Sequence, residues 1–114
     1  MTDEKTETTA PKPTAKKAPA RKPDPMARII ADMKEAGKAL GGFGTKDHDE
    51  AKRRAYDQLA ASWGRDHAIT GEYASGLLSL SFEAVACYRR EKRYALLQLA
   101  AVALAEVERL DGAE

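Results

Sequence analysis

The prolines of this chain divide it into two parts that differ in what they can fold into. All five lie between Pro11 and Pro25, and none follows Pro25. The proline-rich part has no aromatic residue and is rich in Thr, Ala and Lys. It cannot bury enough apolar surface to offset the entropy lost on ordering. We therefore predict a disordered tail over residues 1–25 and a single helical domain over residues 26–114.

The tail carries most of the excess positive charge. It holds six basic and four acidic residues, whereas the rest of the chain is slightly acidic. Its composition resembles that of the tails of histone H1-like proteins, and such residues contact phosphates without reading bases. The alternative is a leader that only aids solubility. The candidate nucleic-acid-binding residues are Lys12, Lys16, Lys17, Arg21 and Lys22.

Beyond the tail, apolar residues recur at spacings of three and four, which indicates amphipathic helices. Asp24 and Pro25 suit the N-cap and first position of a first helix, and Gly41 suits its end. A second helix is expected from about Asp47 to Gly64. Its apolar stripe consists of Ala51, Ala55, Leu59 and Trp63, flanked by Tyr56 and Ala60.

The start of the second helix matches a capping box, because Asp47 stands three residues before Glu50. After Gly64, residues 65–72 are expected to form a connection, with Thr70 as a possible cap for the third helix. The stripe expected to be buried in the third helix is Tyr73, Leu77, Leu80, Ala84 and Tyr88. Its polar face carries Ser75, Ser79 and Glu83, and the fourth helix carries Leu96, Leu97, Ala100, Ala103, Leu104, Val107 and Leu110.

Residues 77–110 contain neither Gly nor Pro, so one long helix and a hairpin are both open. A single helix of that length would measure roughly 50 Å. A compact domain formed by residues 26–114 has a radius of gyration near 12 Å, so a helix that long would leave much of its apolar face uncovered. We favour a hairpin that bends within the basic run 89–93. Four helices with such wide apolar stripes predict an all-α bundle that buries further surface by forming an oligomer.

The composition excludes several classes of protein. One cysteine, Cys87, permits no internal disulfide and no paired-cysteine zinc site. No segment has the pattern of a secretory signal or of a membrane span. We therefore expect a cytoplasmic protein with no membrane partner.

The segments RRAYDQLAASWGRDH and LLQLAAVALAEVERL resemble the MazG-like group of short actinobacterial and phage proteins, over about residues 50–110. The resemblance implies an all-α nucleoside triphosphate pyrophosphohydrolase, in which Glu-Glu-x-x-Glu on one helix and Glu-x-x-Asp on the next hold Mg²⁺. When the match is anchored on residues 98–101, the acidic positions fall on Leu78, Ser79, Phe82, Ala95 and Gln98. Shifting the register by one residue recovers Glu83 alone, so Glu83 is the single catalytic candidate.

The remaining candidate sites are supported by fewer residues of a recognisable motif. His48 and His67, with Asp66, would form a metal site only if the fold brought them together; the alternative is surface histidines, and no metal site is predicted. Gly41–Gly44 lack the lysine and the preceding strand of a phosphate-binding loop. The candidate partner-binding residues are Trp63, Arg89, Arg90 and Arg93.

Three functions remain open at this point. The first is a MazG-like helical protein, catalytically impaired, that acts by self-association or partner binding and needs no cofactor. The second is a small nucleic-acid-associated protein that uses the tail. The third is an active enzyme, with Mg²⁺ as its cofactor, in which Glu72, Glu83 and Glu91 converge.

Overall fold

The structure is a computed structural model that describes residues 24–113. These residues form four helices and no strand: α1 (Pro25–Leu40), α2 (Glu50–Thr70), α3 (Tyr73–Ala86) and α4 (Arg89–Gly112). The predicted all-α class and the number of helices are therefore confirmed. Residues 1–23 of the predicted tail lie outside the described residues, as do all five candidate nucleic-acid-binding residues.

The ends of α1 are where its sequence predicts them. Asp24 is the N-cap, and its carboxylate accepts a hydrogen bond of 3.2 Å from the Met26 N–H. Pro25 occupies the first helical position, where a missing N–H costs nothing. Gly41 ends the helix with φ of 71°, and its N–H donates to the Lys38 carbonyl at 3.1 Å. A positive φ is readily adopted only by glycine, so α1 stops at this residue.

Both predicted ends of the second helix are wrong. The N-cap of α2 is Asp49 rather than Asp47, and its carboxylate accepts from the Lys52 N–H at 2.8 Å. The helix also passes through Gly64 and ends six residues later, at Thr70, where Gly71 is the C-cap with φ of 71°. Gly64 serves packing instead, because a Cβ at this position would lie 3.2 Å from the Ser79 Oγ on α3.

The polar face predicted for α3 is in large part its contact with α2. Ser75 is buried and donates a hydrogen bond to the carboxylate of Asp66. Ser79 is half-buried, and its hydroxyl donates to the Ala60 carbonyl at 2.9 Å. Only Glu83 is exposed as expected for a polar face. Small side chains allow two helices to approach closely. Each serine hydroxyl then finds an acceptor on the neighbouring helix, so it is not left buried without a hydrogen bond.

The segment 77–110 is two helices, as the favoured hairpin requires. The chain breaks at Cys87 and Tyr88, whose ψ values of 160° and 161° are extended. The break therefore precedes the predicted bend at residues 89–93. Val102 of α4 lies beside Leu77 near the start of α3, so the two helices run antiparallel.

The four helices form an open bundle rather than a compact one. α3 packs on α2 and on α4, while α1 contacts only α4 among the described helices. The buried apolar residues are Ile29, Ala60, Ala84, Ala86 and Ala95. Much of the apolar surface predicted to be buried is therefore exposed.

Candidate functional site

The acidic positions of the MazG-like motif do not form a site. Ser79 bonds the α2 backbone, Phe82 stacks on Tyr56 with ring centroids 6.0 Å apart, and Ala95 is buried. Within residues 24–113, no group of three or more His, Cys, Asp or Glu side chains is placed to hold a metal ion. Ser79, Phe82 and Ala95 thus contribute a hydroxyl and apolar groups, where the MazG-like resemblance implies carboxylates.

The three glutamates of the enzymatic alternative do not converge. Glu72 is the N-cap of α3 and Glu83 lies in its last turn. At the rise of an α-helix, the eleven residues between them correspond to about 16 Å along the axis. Glu91 belongs to the first turn of α4 and lies 3.7 Å from Arg90. Glu83 is exposed on α3, without carboxylate neighbours that would make it part of a metal site.

The two histidines lie at opposite ends of α2. His48 precedes the helix and makes an edge contact with Tyr56, with centroids 5.4 Å apart. His67 lies in the last turn, where its Nδ1 donates to the Glu72 carbonyl at 2.8 Å. Asp66 is bonded to Ser75. The possible His48–His67–Asp66 cluster is therefore excluded by the length of the helix.

Arg53 joins the three helices at the α3–α4 break. Its guanidinium lies 3.0 Å from the Glu50 carboxylate, donates to the Ala86 carbonyl at 3.3 Å, and lies 4.6 Å from the centroid of the Tyr88 ring. A second cation, Lys92, donates to the Ala84 carbonyl at 2.7 Å. Carbonyls at a helix C-terminus lack partners within the helix and carry partial negative charge. Two cations thus satisfy the end of α3 without a glycine.

The charge pair at this junction has a defined response to pH. The hydrogen bond from Arg53 is the main reason that the pKa of Glu50 is lowered, and the same bond raises the pKa of Arg53. A carboxyl whose pKa is lower in the folded state stabilises the fold above its unfolded pKa. That contribution is lost as pH falls through the folded pKa. Sequence reasoning did not find Arg53, because its acceptors on Ala86 and Tyr88 are distant in the chain.

The predicted partner-binding residues occupy two separate places. Trp63 is half-buried on α2, whereas Arg89, Arg90 and Arg93 are exposed in the first turns of α4. A groove of about 590 Å³ lies between the loop before α2 and the end of α3. Its lining residues are Lys46, Asp47, His48, Lys52, Tyr56, Ser81, Phe82 and Val85.

A row of uncovered apolar residues lies on α4. One side of this helix, which packs toward α3, is covered: Ala95 is buried, and Leu99 and Val102 are half-buried. A second side is exposed along the same length. It consists of Leu96, Ala100, Ala103, Val107 and Leu110, and we call it the outer seam.

The exposure of the outer seam is large for apolar side chains. Leu96, Val107 and Leu110 are 49%, 39% and 51% exposed. Leu97, beside the seam, is also 49% exposed. A contiguous apolar strip of this kind marks an interaction surface, unlike apolar residues scattered singly. It contains five of the seven residues in the apolar stripe identified on the fourth helix.

The comparisons add no relative to this description. Profiles of known protein families, curated proteins and solved structures gave no match to the chain. Of the helices in residues 24–113, none combines the length and the apolar character needed to cross a lipid bilayer.

Proposed function

We propose that this chain is a MazG-like helical protein that acts by self-association, without the catalytic centre of the pyrophosphohydrolases. The observation that carries this proposal is the exposed outer seam of α4. Cytoplasmic location and the absence of a cofactor belong to the same proposal.

The small core supports self-association. Ile29 is the single large apolar side chain that is buried among the described residues, while fourteen are at least 37% exposed. Alanines contribute little apolar area, and burial stabilises by about 25 cal/mol per Å². A chain with so little burial gains stability when a further helix covers its apolar faces. Obligate oligomers are stabilised in this way, because each subunit folds stably only when its partner covers its apolar surface.

Sedimentation velocity on the full chain tests the proposal. We expect a species of twice the chain mass, and we expect Leu96→Glu with Val107→Glu to return the chain to a monomer, because each buries a charge in the seam. Ile69→Glu is the matched control, since Ile69 is 84% exposed at the end of α2 and lies off the seam. A monomer at every concentration, or equal loss of association in the control, contradicts self-association through α4.

Catalysis is tested separately. Diphosphate release from a panel of nucleoside triphosphates with Mg²⁺ should stay at the level of a blank. Release that Glu83→Ala abolishes would restore the enzymatic alternative. Salt-sensitive DNA binding that disappears when residues 1–23 are deleted would instead favour the nucleic-acid alternative.

A further inference from the structure

The outer seam has the spacing of a coiled coil. Leu96, Ala100, Ala103, Val107 and Leu110 are separated by four, three, four and three residues. This mean period of 3.5 keeps a strip of side chains facing one neighbouring helix over several turns. All five residues are exposed, and α1, which also contacts α4, leaves them uncovered. The seam therefore has room for one further helix.

The seam is nearly symmetric about its own middle. Four of its five residues, Leu96, Ala100, Ala103 and Val107, are placed symmetrically about a point between positions 101 and 102, with the two alanines innermost. If a second α4 lay antiparallel across it, with the centre between positions 101 and 102, Leu96 would oppose Val107 and Ala100 would oppose Ala103. Small side chains at the centre let two helices approach to the short end of the usual 8–10 Å range.

The charges of α4 favour the antiparallel direction. Its first turns contain Arg89, Arg90, Lys92 and Arg93 with one acid, and its last turns contain Glu106, Glu108 and Asp111 with one base. A parallel pair would place the basic ends of two helices side by side. An antiparallel pair places each basic end against an acidic end. In the register above, Arg93 and Asp111 of two copies fall on the same edge of the seam, within one residue of each other along the axis.

The tail is not a suitable cover for the seam. Residues 1–23 contain no Leu, Ile, Val, Phe, Tyr or Trp, so their side chains cannot replace the apolar contacts of a helix. A second α4 supplies both the apolar strip and the opposite charges. The partly exposed seam residues, with Leu97 beside them, supply the apolar part of this contact.

We propose that two copies of this chain pair antiparallel through the outer seams of α4, with Leu96 against Val107 and Arg93 against Asp111 of the partner copy. This inference rests on the proposed self-association and adds its partner, direction and register. The interface would be isologous, since the same surface serves both copies.

Disulfide trapping tests the direction in the full chain, with Cys87→Ser as the background. Chains carrying Leu96→Cys and chains carrying Val107→Cys are mixed and exposed to a mild oxidant. We expect a cross-link between the two kinds of chain and little within either kind, because identical positions lie about 16 Å apart along an antiparallel axis. A strong cross-link between two copies of Leu96→Cys overturns the antiparallel direction while leaving self-association intact.

Charge exchange tests the register without adding cysteines. Arg93→Glu and Asp111→Arg should each weaken the dimer about tenfold, because two like-charge contacts form in each symmetric pair. The double variant should recover the original dissociation constant. A dimer that is indifferent to both single changes, or that the double variant fails to restore, overturns the register. A chain that stays monomeric overturns this inference and the proposed function together.

Discussion

At the scale of single residues, the structure separates glycines that end helices from glycines that allow close packing. Gly41 and Gly71 both have φ of 71° and end α1 and α2. Gly64 and Gly76 lie within helices, at positions where a side chain would meet the neighbouring helix or residue. The sequence does not distinguish the two kinds of glycine. Gly41 was therefore predicted correctly to end a helix, whereas the prediction that Gly64 ends one was wrong.

Gly76 gives a direct test of this distinction. A Cβ at Gly76 would lie 2.9 Å from the His67 ring, which donates to the Glu72 carbonyl, whereas a Cβ at Gly37 meets nothing within 4 Å. Gly37→Ala should raise the free energy of unfolding by about 0.5–1 kcal/mol through helix propensity alone. Gly76→Ala gains the same helix propensity, but the new methyl group displaces His67. The free energy of unfolding of Gly76→Ala should therefore be about 1–2 kcal/mol lower than that of Gly37→Ala. Urea denaturation of both variants measures the difference, and equal effects would mean that the contact is unimportant.

At the scale of helices, the sequence predicts that the helices form, but it does not predict which side of each helix is buried. The apolar periodicity predicts four helices, and four are found. It does not say which neighbour covers which side, so Ser75 and Ser79 were assigned to a polar face although they pack on α2. The outer seam was visible as a 4-3-4-3 spacing. It could not be separated from the inner side of α4 until the position of α3 was known.

The break between α3 and α4 leads to a prediction about Arg53. Arg53→Ala removes the donor to the Ala86 carbonyl, the contact with the Tyr88 ring and the pair with Glu50. It should therefore lower the thermal midpoint clearly more than Arg54→Ala does. Arg54 is exposed, and its contact with Glu50 is a long one of 3.7 Å, which contributes little to stability. Thermal unfolding followed by circular dichroism compares the two. Equal midpoints would show that the break does not depend on Arg53.

The same variant should change the response to acid. With Arg53 present, the Glu50 carboxyl keeps its charge below its ordinary pKa of about 4.3. Acidification should therefore narrow the stability difference between the original chain and Arg53→Ala, because only the original chain loses the contribution of the charged pair as pH falls through the folded pKa of Glu50. An NMR titration of the Glu50 side chain would locate the change in pKa, and an unchanged value would refute the role of this pair.

At the scale of the whole molecule, the described chain is an open arrangement whose apolar faces exceed what four helices cover. Its small core of one isoleucine and four alanines follows from this arrangement. Among the four described helices, α3 alone packs on both a preceding and a following helix along the chain. Sequence patterns identify the apolar residues, but they cannot show which of them the neighbouring helices leave exposed.

This arrangement predicts that stability depends on protein concentration. If the seam is buried by a second copy, the thermal midpoint should rise with total chain concentration, by mass action. The midpoint of Leu96→Glu with Val107→Glu should be lower and independent of concentration, whereas Ile69→Glu should behave like the original chain. Differential scanning calorimetry across a hundredfold range of concentration checks this, and a midpoint that never moves would contradict it.

The close packing of α2 on α3 also bears on the order in which the chain folds. These helices are joined by Gly71 and Glu72 alone, and their hydroxyl and glycine contacts link residues near in sequence. Contacts of this kind form quickly, because little loop entropy is lost in making them. We therefore expect the hairpin of α2 and α3 to form first and α4 to dock on it afterwards.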